Sequence, residues 1–378
     1  MDPNLDAAIT KLTCKNFRSY RTLALSISSM FVVFYGENGA GKTNILEAIS
    51  LFSSERGLRK APVSDLNCID SLSSSWNVEL LLKKDGYKTQ LSTNAKNGRR
   101  IARIDGTSAS SLSKFEESLW LLWIVPSMDN VFINSMSDRR AFFDHLVSGY
   151  EKRHKSNLRK LAELQKERLH VIFHRKDESW LRILEERISE ENVKITKSRL
   201  EFIDLLHEVF YAYPSEFLRP IVSISGEIEK IYHTHSEEDS MLEIMEILKN
   251  NRYVDSEKQT TSVSAQKSIW EARHRKTLLE AENCSTGEQK AFLISLVLAV
   301  FRIYKRTRTG IPILLLDDLM VHLDEKRRRD LAIELIELNV QTFFTGTDIN
   351  FFKDILPISQ TYHVEKSICS MRSSIFKP

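Results

Sequence analysis

Gly36-Glu37-Asn38-Gly39-Ala40-Gly41-Lys42-Thr43 is the stretch on which the reading of this chain turns. An apolar run over residues 30–35, suited to a buried strand, precedes it, and a helical pattern through Ile45, Ile49 and Phe52 follows. In that strand–loop–helix setting the pattern G-x-x-x-x-G-K-S/T is a phosphate-binding loop. Glycines let the backbone wrap closely around phosphates, and the helix start offers free N–H groups and a positive dipole end. Lys42 is placed to reach β- and γ-phosphates, and the Thr43 hydroxyl to ligate Mg²⁺. By itself the loop points to bound ATP; the competing reading is a glycine turn beside an ordinary surface lysine.

A second stretch supplies acid. Ile313-Leu314-Leu315-Leu316-Asp317-Asp318 is an apolar strand ending in two carboxylates, where open α/β sheets bind their ligands. Asp317 is the candidate Mg²⁺ ligand, directly or through water. Asp318 is the candidate group that polarises an attacking water, since phosphoryl transfer asks for positioning more than covalent chemistry. Taken alone, such a strand end also fits a helix cap or a solvated turn.

Around these motifs the texture changes three times. Leu23, Leu25 and Ile27 alternate as in a strand, and Asp85-Gly86 and Asp105-Gly106 mark antiparallel hairpins between Trp76 and Ile104. Residues 120–125 form another buried strand, stopped by Pro126. Residues 137–213 have no proline, one glycine (Gly149) and apolar residues at helical spacing, among them Leu161, Leu164, Leu184, Ile188, Phe202 and Leu206. They are expected to form two or three long helices, an arm inserted into the α/β body. A helix is expected over residues 241–248, and the polar stretch 250–266 is the candidate mobile loop. After Gly287 helices and strands alternate: helices at 291–304 and 330–338, strands at 313–316, 341–345 and near Tyr362 and Ile368. Alternation of this kind implies a largely parallel sheet.

Composition sets outer limits. The 378 residues, 42% hydrophobic and 28% charged, describe a globular chain. No apolar run reaches the roughly 20 residues of a membrane helix, and no secretory signal pattern opens the sequence. Four scattered cysteines without a CxxC pair fit the cytoplasm and argue against a disulfide scaffold or structural zinc. A net charge of +3 does not establish a polyanion partner. The basic clusters at Arg99, Arg100 and Arg103, at Lys152, Arg153 and Lys155, and at 326–329 are consistent with solvated faces.

Cys284-Ser285-Thr286-Gly287-Glu288-Gln289 precedes the acidic strand and opens a helix. Hydroxyls, glycine and helix start make a second anion site, while Ser285 with Glu288 also fits a plain capping box. The order decides between them: phosphate loop, helical insertion, S-x-G-x-Q, apolar strand with Asp-Asp, then His322-Leu323-Asp324. This order resembles the ABC-type ATPase head of the SMC/Rad50/RecF group, most closely the RecF family, over nearly the whole chain. Asn16-Phe17-Arg18-Ser19-Tyr20 resembles the family's N-terminal element near the nucleotide, which makes Arg18 a candidate nucleotide-binding residue. Arg56-Gly57-Leu58-Arg59 resembles its arginine element. Residues 126–129 and 138–144 resemble its approach to the arm, and residues 284–291 the signature of alphaproteobacterial members. Three positions depart from the pattern. Ser264-Ala265-Gln266-Lys267 stands where a GPHR-type element is usual, Asp318 where transporter-type relatives have glutamate, and residues 345–348 where those relatives place a switch histidine.

The resemblance implies an α/β ATPase head with antiparallel hairpins and a largely parallel core. Residues 1–136 and 214–378 would form the head, and 137–213 the arm. It implies an ATP-dependent homodimer in which Ser285, Gly287 and Gln289 act in trans on the nucleotide held by the partner's phosphate loop. Hydrolysis would be slow, with no nuclease activity. The implied role is binding duplex and duplex/single-strand junction DNA at gaps, and promoting RecA loading with RecO and RecR in repair and stalled replication. Arg56, Arg59, Lys60, Arg99, Arg100 and Arg103 are the candidate DNA contacts, mostly to phosphates. Rival readings are an SMC-like clamp head, a nuclease head and a transporter ATPase subunit; the insertion and the N-terminal element speak against the last.

Overall fold

The computed structural model describes residues 7–54, 56–68, 75–96, 98–174, 177–308 and 310–372. Strands β1 (Ala7–Phe17) and β2 (Tyr20–Ser26) pair antiparallel, and β3 (Phe31–Tyr35) leads into helix α1 (Lys42–Ser50). Next come β4 (Asn77–Lys84), β5 (Tyr87–Lys96), β6 (Arg99–Ile104), β7 (Thr107–Ser108) and β8 (Leu119–Ile124). Both Asp-Gly pairs close hairpins as expected, β4 to β5 and β6 to β7. Their φ values are positive at both residues, 49° and 81°, then 48° and 79°, the backbone of a type I′ turn that aspartate and glycine tolerate.

The chain then turns helical: α2 (Met136–Tyr150), α3 (His154–His174) and α4 (Glu178–Ala212). Ser135 and Asp177 cap α2 and α4 by accepting from the N–H groups of Asp138 and Trp180. The apolar stripe read from the sequence is buried: Leu161, Leu184, Ile188, Phe202 and Leu206 are closed off from solvent. After strand β9 (Pro220–Ser225) come α5 (Glu227–Thr234), α6 (Glu237–Asn250) and α7 (Arg252–Lys258). Strand β10 (Ile269–His274) pairs antiparallel with β9 and is followed by α8 (Thr286–Thr307). The stretch 250–266 is thus not a mobile loop. It contains α7, and its polar residues Asp255, Thr261 and Ser264 are buried. Two of them answer polar groups of the arm helices: Asp255 accepts from Arg168 at 2.7 Å, and Ser264 accepts from the Gln165 amide at 2.7 Å.

The α/β texture returns with β11 (Ile311–Leu316), α9 (Glu325–Leu338), β12 (Gln341–Gly346), β13 (Ser359–Glu365) and β14 (Ile368–Arg372). The strands form an antiparallel sheet in the order β2-β1-β4-β5-β6-β7 and a mixed sheet in the order β14-β13-β3-β12-β11-β8. In the second sheet β13, β3, β12, β11 and β8 are mutually parallel. Their near-continuous apolar character suits strands covered on both faces.

Two compact units result. One holds both six-stranded sheets and α1 and comprises residues 1–128, 215–217 and 305–378. Its core joins Ile9 and Phe17 of β1, Ile45 and Ile49 of α1, and Leu315 and Phe343 of the parallel strands. The other unit, residues 129–214 and 218–304, holds the arm helices, the β9–β10 pair and most of α8. In it Leu164, Leu184 and Ile188 pack with Ile228, Ile244 and Leu248.

Candidate nucleotide site

The loop between β3 and α1 is shaped by close approach. Gly36 has φ 150°, and a Cβ there would stand 2.2 Å from the carbonyl oxygen of Val364. Gly41 has φ 111°, and its Cβ would meet the Tyr20 hydroxyl at 2.8 Å and Ser19 Oγ at 3.0 Å. Neither position accepts a side chain without backbone movement. The N-terminal element is therefore part of the loop's wall. The Tyr20 hydroxyl donates to the Gly41 carbonyl at 3.2 Å, and Asn44 donates to Ser19 Oγ at 2.9 Å. Helix α1 begins with no side-chain cap and no acidic residue in its first turn, which leaves its N–H groups and dipole to an anion.

Lys42 lies back in this loop, 4% exposed. Its ammonium donates to the carbonyls of Gly36 and Glu37, each at 2.8 Å. Burial lowers its pKa, and the nearby Asp318 and Asp317 partly oppose that. Both acceptors are neutral, so an incoming phosphate offers this cation a stronger partner than it has.

The acidic strand end meets the loop directly. Thr43 Oγ1 donates to Asp317 Oδ1 at 2.9 Å, joining the two sequence motifs across 274 residues. Asp317 is buried. Asp318 has φ 51°, in the left-handed region, which asparagine and aspartate visit more readily than most residues. Its Oδ1 is buried and has no hydrogen-bond partner among the described residues. Burial and then the neighbouring Asp317 raise the Asp318 pKa, with Lys42 and His322 pulling the other way. A buried acceptor oxygen without a donor, beside a hydroxyl and a carboxylate, suits Mg²⁺ and an ordered water. Thr43 and Asp317 are the residues that would hold the ion.

Arg18 has φ 53° and grips Glu47 of α1 with both arms, Nε to Oε2 at 2.8 Å and a terminal nitrogen to Oε1 at 2.6 Å. Arg59 reaches Asn44 Oδ1 at 2.8 Å and the same Glu47 at 3.4 Å. Glu47, fully buried, was missed in the sequence. Its signal is a carboxylate set in the apolar run Ile45, Leu46, Ala48 and Ile49 of the helix.

The basic candidates separate. Arg56, Lys60 and Arg99 are exposed and Arg103 is half-buried. Arg100 turns inward and donates to the carbonyls of Leu51 and Ser53 just past α1. Burial pushes its pKa down to about 10. In the run 326–329, Lys326 meets Glu216 and Arg329 meets Glu325 and Asp354, and Arg328 donates to the Leu323 carbonyl at 2.8 Å. Asp324 caps α9 by accepting from the Arg327 N–H.

In the helical unit the signature forms a true capping box at α8. Glu288 Oε2 accepts from the Ser285 N–H and hydroxyl at 2.8 Å each, and the Glu288 N–H donates to Ser285 Oγ at 3.3 Å. Ser285 and Thr286 are exposed. Gln289 is buried and donates to the Cys284 carbonyl at 3.0 Å. Ser264 to Lys267, the stretch replacing the GPHR-type element, is tied to the arm. The Ala265 N–H donates to Asn192 Oδ1, and Arg199 donates to the Ala265 carbonyl, both at 2.7 Å. Among the described residues no helix is long and apolar enough to cross a membrane, and no group of three or more metal-ligating side chains occurs.

Known proteins resemble this chain over nearly its whole length. The RecF/RecN/SMC N terminal domain family matches residues 8–370. A DNA replication and repair protein RecF from Mesorhizobium japonicum is 34% identical over 366 residues, covering 94% of this chain and 96% of its own. Two solved structures of the recombination mediator protein RecF in the RecFOR pathway share the fold at 21% identity. The one described as RecF-ATPrS has a TM-score of 0.83 and the one described as RecF-ATP 0.81. Each covers 97% of this chain and 99% of its own.

Proposed function

The chain belongs to the RecF family of DNA replication and repair proteins, and from that premise we propose that it is a weak ATPase whose nucleotide cycle switches DNA binding. The observation that carries the reading is the link from Thr43 to Asp317, beside a buried lysine held only by carbonyls and an unpartnered Asp318 oxygen. ATP is favoured as the nucleotide because a solved relative is described as RecF-ATP.

In this reading residues 36–43 wrap the triphosphate, and Lys42 exchanges the Gly36 and Glu37 carbonyls for β- and γ-phosphate oxygens. Thr43 and Asp317 would hold Mg²⁺, which would supply charge neutralisation for the phosphates. Asp318 orients a water and accepts its proton as the bond from the γ-phosphorus to the bridging oxygen breaks, leaving ADP and phosphate. Arg18, set beside the loop by Glu47, serves the nucleotide from the α1 side.

Ser285, Gly287 and Gln289 act on the nucleotide of a second copy, so that two composite sites form in an ATP-driven homodimer. In the dimer, two heads (residues 1–136 and 214–378 of each chain) close over DNA, and residues 137–213 form the arm. The DNA is a duplex or a duplex/single-strand junction, and Arg56, Arg59, Lys60, Arg99 and Arg103 contact its phosphates. RecR and RecO are the partners, RecA loading the outcome, and the cytoplasm the location.

The test measures dimerisation and gapped-DNA binding with and without ATP and Mg²⁺. The unaltered chain is expected to dimerise and bind with ATP. Lys42→Met should lose both, and Ser285→Arg should bind ATP without dimerising. Equal binding of gapped DNA without nucleotide and by both variants overturns the proposal.

A further inference from the structure

Strand β12 runs between the strand that carries the phosphate loop and the strand that ends in Asp317 and Asp318. Its register pairs Thr345 with Phe34 of β3 and Phe344 with Leu316 of β11. Thr345 therefore reaches the C-terminal edge of the sheet level with both motifs, and it is fully buried. A threonine hydroxyl has one hydrogen to give and two lone pairs to offer. Here the hydrogen goes to Asp317 Oδ1 at 2.7 Å, and a lone pair receives the Asp318 N–H at 2.9 Å.

One hydroxyl thus holds two consecutive carboxylate residues in different ways. Asp317 Oδ1 takes Thr345 on one side and Thr43 on the other, so the carboxylate is oriented before any cation arrives. Asp318 sits at φ 51°, a left-handed conformation that aspartate reaches at modest cost; its N–H is held by Thr345. Its Oδ1 is buried and has no hydrogen-bond partner among the described residues. Being β-branched, Thr345 has few side-chain rotamers to choose from, which makes it a stiff spacer.

We propose that Thr345 is the positioning residue of the acidic pair: it orients Asp317 toward the cation site at Thr43 and fixes the backbone turn that aims Asp318 at the attacking water. The proposal rests on the ATP-hydrolysis reading above. It separates from a merely structural role because valine fills nearly the same space and suits a strand interior as well as threonine does.

The experiment compares Thr345→Val and Thr345→Ser with the unaltered chain. It follows binding of a fluorescent ATP analogue with and without Mg²⁺, the Mg²⁺ dependence of that binding, and kcat and KM for ATP. Thr345→Val should leave metal-free nucleotide affinity and KM unchanged. It should raise the Mg²⁺ needed for half-effect, and lower kcat, by about 10- to 100-fold, the range seen when a partner of a metal ligand is removed. Thr345→Ser should restore both. A valine variant with unaltered Mg²⁺ dependence and kcat, or a serine variant no better than valine, overturns the inference while leaving the ATPase reading intact. A chain that binds no ATP at all overturns that reading and this one with it. If circular dichroism shows the valine variant unfolded, Thr345→Ala takes its place with the same expectations.

Discussion

Lys42 in the phosphate loop and Arg168 in the helical unit are both buried cations, and the molecule holds them in opposite ways. Lys42 rests on two neutral carbonyls, with carboxylates near but not touching. Arg168 is answered by charge, Nε to Glu185 at 3.1 Å and a terminal nitrogen to Asp255 at 2.7 Å, with the Leu248 carbonyl as a third acceptor. Asp255 also accepts from the N–H and hydroxyl of Ser262. A cation with weak, replaceable partners is prepared to change them. One already compensated by carboxylates has no reason to move, and a partner left behind is costly. The contrast is between a cation on replaceable neutral partners and one locked into a structural tie.

Removing the fixed cation should therefore hurt stability most. Arg168→Ala leaves Asp255 in the interior without its cation, while Glu185 keeps Arg252 on both oxygens at 2.8 and 2.6 Å, and urea unfolding should show a loss of about 3–5 kcal/mol. A loss under about 1 kcal/mol would erase the distinction between the two sites.

The neighbouring network of Asp144, Arg199 and His154 belongs to the same fixed class. Arg199 grips Asp144 at 2.8 and 2.9 Å, and His154 Nε2 lies 2.8 Å from it. Burial pushes the Asp144 pKa up, but the Arg199 charge and the hydrogen bonds outweigh burial and leave it below the ordinary value. A carboxylate depressed in the folded state stabilises above its unfolded pKa of about 3.9, and that contribution drains away as pH falls through the folded value. Asp144→Asn should cost about 1–3 kcal/mol at neutral pH. It should also flatten the fall in stability below about pH 4, read from unfolding curves at stepped pH.

Lys42→Met sharpens the other side of the comparison. Methionine leaves no paired carboxylate behind and removes only the donor to two neutral carbonyls, so stability should fall by no more than about 1–2 kcal/mol while nucleotide binding disappears. Thermal melting and analogue binding on one sample check both halves. The smallest effect belongs to the surface: Lys326 and Glu216, largely exposed at 3.4 Å, form a pair whose loss in Lys326→Ala should stay under about 0.5 kcal/mol.

The two regions also differed in how far they could be read in advance. Residues 36–43 announce themselves because glycine spacing and one lysine act within a single turn of chain. The Asp-Gly hairpins are local for the same reason, since the two φ values alone set the turn. The polarity of the stretch 250–266 points to exposure, whereas the structure buries Asp255, Thr261 and Ser264. What buries Asp255 is Arg168, 87 residues away in sequence, and no local pattern reports such a partner. The short strands β9 and β10 escaped as well, because two six-residue strands paired only with each other leave little periodicity.

The phosphate loop, the acidic strand end, the signature and the helical arm were determined by sequence alone, because each depends on residues a few positions apart and on backbone geometry they impose directly. Only the tertiary structure decided that Thr43 meets Asp317, that Glu47 collects Arg18 and Arg59, that Arg100 points inward and that Thr345 bridges the two carboxylates. These are contacts between side chains that strand order and burial bring together, and the sheet's order β3-β12-β11 is itself a product of the whole chain packing at once.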